Sequence, residues 1–194
     1  MLKDIGYKII LYSFLISSYL LLIPSLSNGT EIIGPDVRIK NNEIYVTTSL
    51  SLDANFLEEL KGGIGKELTF YIDIFKKWNI WPDEFIYGKS FIRNLKCDPV
   101  KMEYIASSRE ESVLIKKRFK SFESMMRWAL SINDLKLINI NELEPGEYFV
   151  KVTVESKKRE LPPVLKILPI IIFLSDYEFK IAKDSSIFQI GTVR

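Results

Sequence analysis

The chain has 194 residues, 47 % of them apolar, with a formal net charge of +2, one cysteine and no histidine. The missing histidine removes Ser-His-Asp and Cys-His catalysis, imidazole metal ligation and imidazole pH switching. The single Cys97 leaves no internal disulfide and no thiolate metal cluster, and near-neutral charge gives no electrostatic case for nucleic acid or an anionic membrane surface.

The chain opens with a weakly basic stretch carrying Lys3 and Lys8. An apolar run from Ile9 to Ile23 follows, closed by Pro24 and the small residues Ser25, Ser27 and Gly29. That order is expected of a secretory signal peptide, and the run is shorter than the roughly 20 residues a spanning helix needs. Two readings stand for residues 1–29, a cleaved signal peptide or an uncleaved N-terminal membrane anchor. In the second, membrane contact is confined to residues 9–23. Either way residues 30–194 are expected to form a single extracytoplasmic domain, periplasmic or held at the outer face of the inner membrane. Losing residues 1–29 removes Lys3, Lys8 and Asp4 and leaves a net charge of +1.

Asp36–Lys40 and Glu43–Ser51 flank Asn41-Asn42 and predict a hairpin, because Asn tolerates the left-handed backbone of a tight turn. Asp53 to Lys61 predicts a short helix capped by Asp53, with Phe56, Leu57 and Leu60 on one face and Gly62-Gly63 as its stop. Glu67 to Phe75 alternates as a half-buried strand does, with Leu68, Phe70, Ile72 and Ile74 on one side. The segment KKWNIWPDEF that follows reads as a turn, marked by Pro82-Asp83.

Three further strands are expected over Ile86–Lys96, Lys101–Ser107 and Ser112–Phe119. A second helix, capped by Ser121, carries Phe122, Met125, Met126 and Ala129 at helical spacing up to about Ile132. After an apolar segment, Leu135 to Ile140, comes LEPGEYFVKVTVES. Its Tyr148, Val150, Val152 and Val154 share one face, with Phe149 the apolar exception on the other. Leu143, Pro145-Gly146 and Tyr148 have the spacing of a tyrosine corner, in which the phenol bonds backbone near Glu144; a plain turn and strand is the alternative.

The run Val164 to Leu174, interrupted by Pro169, is too short to span a bilayer and suits a buried or edge strand. Asp176–Ala182 predicts a last strand, and SSIFQIGTVR adds a short one. The sum is a mainly β domain, an immunoglobulin-like or related antiparallel β-sandwich with one or two short helices.

No cofactor loop is legible: Gly62-Gly63 and Gly65 lack the Lys-Ser/Thr of a phosphate loop, and no alternating acids form a calcium loop. The adjacent acids Glu58-Glu59, Asp83-Glu84 and Glu110-Glu111 diverge on any regular element, so none forms an acid and base pair by itself. Cys97 reads as a small apolar filler. The clusters Lys116-Lys117-Arg118 and Lys157-Lys158-Arg159 read as solvated strand ends. The aromatic group Phe75, Trp78, Trp81 and Phe85 has two readings, a cap on the end of the core or a partner surface.

Taken in order, EIYVTTSLS, NFLEELKGGIGKELTFYIDIF, KKWNIWPDEF, SFESMMRWAL, LEPGEYFVKVTVES and ELPPVL resemble the domain-of-unknown-function family 4390, small exported bacterial proteins. The segment LKCDPVKMEY departs from the family pattern, keeping only Asp98 and Tyr104. The resemblance brings no catalytic residue or cofactor with it. It implies proximity to membrane sensor histidine kinases, and so a role in envelope sensing. The expectation is a non-enzymatic binding or accessory domain of the cell envelope with an envelope or membrane protein as partner. The alternative is a carboxylate-dependent hydrolase whose site is assembled from distant strands.

Overall fold

The computed structural model describes residues 29–157 and 177–191, so the signal-like segment up to residue 28, Lys158-Arg159 and the run Val164 to Leu174 lie outside the described residues. The strands are β1 (Glu31–Lys40), β2 (Glu43–Ser51), β3 (Lys66–Lys76), β4 (Glu84–Asp98), β5 (Glu103–Glu110), β6 (Val113–Phe119), β7 (Ser131–Asn139), β8 (Gly146–Lys157), β9 (Tyr177–Asp184) and β10 (Phe188–Ile190). Helices α1 (Ala54–Lys61) and α2 (Phe122–Leu130) and a 3-10 turn (Ile140–Glu142) complete the order.

All ladders are antiparallel. A small sheet runs β1-β2-β7. A large one runs β10-β8-β3-β4-β5-β6, with β9 sharing the outer edge of β8 with β10. The two pack as a sandwich. Ile44, Val46 and Leu50 of the small sheet face Leu68, Phe70, Ile72, Ile74, Val150, Val152 and Val154 of the large one, all buried. The alternation in β3 and β8 is what permits this, since period-two apolar positions all fall on the inner face. Phe56 and Leu60 of α1 and Met125, Met126 and Ala129 of α2 fill the same core, as does Cys97.

The local signals act as expected. Asn41 and Asn42 both take positive φ, 51° and 61°. Asp53 accepts from the Phe56 N–H at 2.8 Å, and Ser121 and Ser124 form a reciprocal capping box. The Tyr148 hydroxyl donates to the Glu144 carbonyl at 2.7 Å, so the corner is present.

Most strand boundaries shift by one to three residues, and three differences have a physical cause. β1 begins at Glu31, before Asp36, because a bulge between Ile33 and Asp36 absorbs Pro35 within the strand. Gly34 makes that bulge possible: its φ is 89°, and a Cβ there would lie 3.1 Å from the Thr47 carbonyl oxygen. α2 stops at Leu130, short of Ile132, and Leu135 to Ile140 belongs to β7 and the 3-10 turn. The guanidinium of Arg93 accounts for the early stop, since Nη1 donates to the carbonyls of Trp128, Ala129 and Ser131 at 2.6–3.0 Å. These bonds satisfy carbonyls that the helix end leaves open.

Candidate functional site

Among the described residues, the β3–β4 turn and the first residues of β4 carry a group of exposed large apolar side chains. Trp78, Ile80, Trp81 and Phe85 are 43 %, 89 %, 74 % and 57 % exposed. They do not cap the core. Soluble surfaces scatter single apolar residues, but four within eight positions of one tip form a patch.

The tip is built on a rigid base. β3 and β8 pair without a break from Leu68↔Ser156 to Lys76↔Tyr148, and the Lys77 N–H donates to the Glu147 carbonyl at 2.8 Å. Tyr148 holds the Glu144 carbonyl, and the Glu144 carboxylate accepts from Lys76 Nζ at 2.6 Å. That hydrogen bond raises the Lys76 pKa and lowers that of Glu144. The Lys76 ammonium stands 4.7 Å from the Trp78 ring centroid. On the other side, Asp83 accepts from the Trp78 main-chain N–H and Glu84 from its indole N–H, each at 3.3 Å. The adjacent pair Asp83-Glu84 therefore positions a tryptophan.

The four aromatic residues separate into two groups. Phe75 and Phe85 meet edge to face at 5.8 Å on the outer face of the large sheet, and Phe75 stacks on Phe149 at 5.5 Å. Lys151 Nζ lies over both stacked rings. Phe149 is buried by this stack and so is a support of the tip rather than a contact point of its own. Trp78 folds back against Lys76. Trp81 and Ile80 project with no ring contact or hydrogen bond among the described residues. The sequence pattern named Glu144 as the backbone partner of Tyr148 but did not single out its carboxylate, Ile80 or Lys76; the two tryptophans near Ile80 were the available signal.

The other acidic pairs have separate fates. Glu59 is ion-paired with Lys66, which also meets Glu178, and Glu110 is ion-paired with Lys89 at 3.4 Å. Asp73, half-buried beside Gly88 on the outer face, has its pKa raised by burial, with Lys151 opposing the shift. Among the described residues no three His, Cys, Asp or Glu side chains gather as a metal site, and no helix is long and apolar enough to cross a membrane.

A family model described as a domain of unknown function (DUF4390) matches residues 28–185. No curated protein and no solved structure matches the chain.

Proposed function

From the premise that this chain belongs to the DUF4390 family, whose function is unknown, we propose that it is a non-enzymatic, exported binding domain of the cell envelope. Its partner, an envelope protein or the extracytoplasmic part of a membrane sensor, docks on the β3–β4 tip. The observation that carries this reading is the exposure of Trp78, Ile80 and Trp81 on a base pinned by Tyr148, Glu144 and Lys76. Tryptophans on a preordered base lose little conformational entropy on docking and are over-represented at the energetic centres of interfaces. Export is supported by the basic, apolar and small-residue order of residues 1–29.

The test is affinity capture from envelope extract with the wild-type chain and the Trp78→Ala/Trp81→Ala chain in parallel. A protein retained by the first and lost by the second is the expected result. Both side chains are exposed, so the double variant should remain folded with a stability change of about 1 kcal/mol. Retention of the same partner by the folded variant would overturn the assignment, as would unfolding of the variant. The mass of the chain recovered from cells decides whether residues 1–29 are removed.

A further inference from the structure

The small sheet ends at β7, and among the described residues no strand pairs with the far side of β7. β7 lies against β4, so β5 and β6 of the large sheet project past it as a ledge. α2 covers only the part of the ledge near Tyr104 and Phe119, where Phe122 and Trp128 meet those rings. Beyond α2 the inner face continues through Ser108 and Glu110 to Ile115 and Val113, which stand opposite them across the ladder and are exposed. A slot therefore runs along the open edge of β7, floored by a ledge on which Ile115 and Val113 stand beside Ser108, Glu110 and Lys117.

A cavity of about 310 Å³ opens at the start of this slot, between Phe91, Arg93, Arg127, Trp128, Ser131 and Asn133. Arg93 is only 8 % exposed. It is flanked by the rings of Phe70 and Trp128 at 5.2 and 5.3 Å, and its Nε has no hydrogen-bond partner. Burial lowers its pKa to about 10, the mark of a cation without a compensating anion. Arg127 is exposed beside it, and Lys117 Nζ also lies 5.2 Å from the Trp128 ring centroid. Among the described residues none of these three cations is in an ion pair. The nearest carboxylate on the ledge, Glu110, is taken by Lys89.

An open strand edge supplies main-chain donors and acceptors, the ledge supplies apolar contact, and the cations specify charge. We infer that this slot receives an extended, acidic polypeptide segment of a partner protein, which adds to β7 as a fourth strand of the small sheet. Its ledge-facing side chains, every second residue, are carboxylates at the end near Arg93, Arg127 and Lys117 and apolar at the end near Ile115 and Val113. Strand addition of this kind gets affinity from main-chain bonds and selectivity from alternate side chains. The slot is separate from the aromatic tip and does not depend on what binds there.

The probe is a fluorescein-labelled peptide about eight residues long to match the edge, its ledge-facing alternate positions reading Glu, Glu, Val, Val with Thr between them, and the same peptide with Lys for Glu is the control. Anisotropy should show saturable binding of the acidic peptide alone, and Arg127→Glu, an exposed change that leaves the core intact, should weaken it roughly tenfold or more. Hydrogen exchange on the complex should slow amides within residues 131–139. The inference fails if the acidic peptide does not saturate by about 1 mM, if the Lys peptide binds equally, or if Arg127→Glu leaves binding unchanged. Protection of β6 instead of β7 overturns it. So does slowing of the same β7 amides by free glutamate, or by self-association without peptide.

Discussion

Removing one oxygen atom, in Tyr148→Phe, tests the corner on which the tip is built. The ring is 1 % exposed and its hydroxyl makes a 2.7 Å bond to the Glu144 carbonyl, a geometry with little slack. Phenylalanine keeps the ring packing, including the stack on Phe188 at 6.2 Å, and loses only the hydrogen bond. Glu144 is exposed, so water replaces the donor at its carbonyl and the loss is the net value of one bond, about 1 kcal/mol. With a urea m-value of about 2 kcal/mol/M for a domain of this size, the midpoint should fall by about 0.5 M. The melting temperature should drop by about 3 °C. Tyr148→Ala, which also empties the ring site, should cost about 3–5 kcal/mol. A phenylalanine variant with the wild-type midpoint and unchanged m-value would refute the view that this bond pins the corner.

Two further expectations concern the outer face beneath the tip. At Gly88 a Cβ would displace the Asp73 Oδ1 atom and approach the Phe85 ring to 3.2 Å, both side-chain groups with room to move, so Gly88→Ala should change stability by no more than about 1 kcal/mol yet shift the Phe85 resonances; unchanged spectra would contradict the packing described. Asp73, with its pKa raised by burial in the fold, binds its proton more tightly there than when unfolded. Its protonated form favours folding below the unfolded pKa, and that contribution is lost as pH rises through the folded value. Asp73→Asn should therefore melt higher than wild type at pH 7, with the advantage shrinking as pH falls towards 4; a pH-independent difference would sink this account.

The hairpin at Asn41-Asn42, the caps Asp53 and Ser121 and the Tyr148 corner were legible because each rests on residues within four positions of one another, where backbone chemistry decides. The start of β1 was not, since a proline normally bars a strand interior and only the cross-strand bulge at Gly34 allows it here. The end of α2 was illegible for a longer-range reason. The group that stops it, Arg93, lies 35 residues and more upstream and reads in sequence as one more outward charge of β4. The same gap applies to the site. Trp78, Trp81, Phe75 and Phe85 were visible by residue type, but that Phe75 and Phe85 pack, Trp78 folds back and Trp81 projects depends on Phe149, brought in by the β3–β8 register, and on Lys76.

The placement of the tip follows from the strand directions. Thr30 bonds the α1 cap Asp53, and Lys66 at the start of β3 pairs with Glu59 of α1, so the first described residues, α1 and the start of β3 share one end of the sandwich. β3 then runs eleven residues to Lys76, about 33 Å at ordinary strand rise, before the aromatic turn begins. A tether on residues 1–29 would thus leave from the end opposite Trp78 and Trp81. The turn at that far end has the Trp78 ring braced by Glu84 and Lys76, while Trp81 projects. Under the proposal that residues 1–29 tether the chain, this placement suits a protein partner for the tip better than the bilayer at the tether. If the tip docks a protein as proposed, lipid vesicles should leave the tryptophan fluorescence unshifted once the Trp128 signal of the Trp78→Ala/Trp81→Ala chain is subtracted; a blue shift with vesicles would place the tip at the bilayer instead.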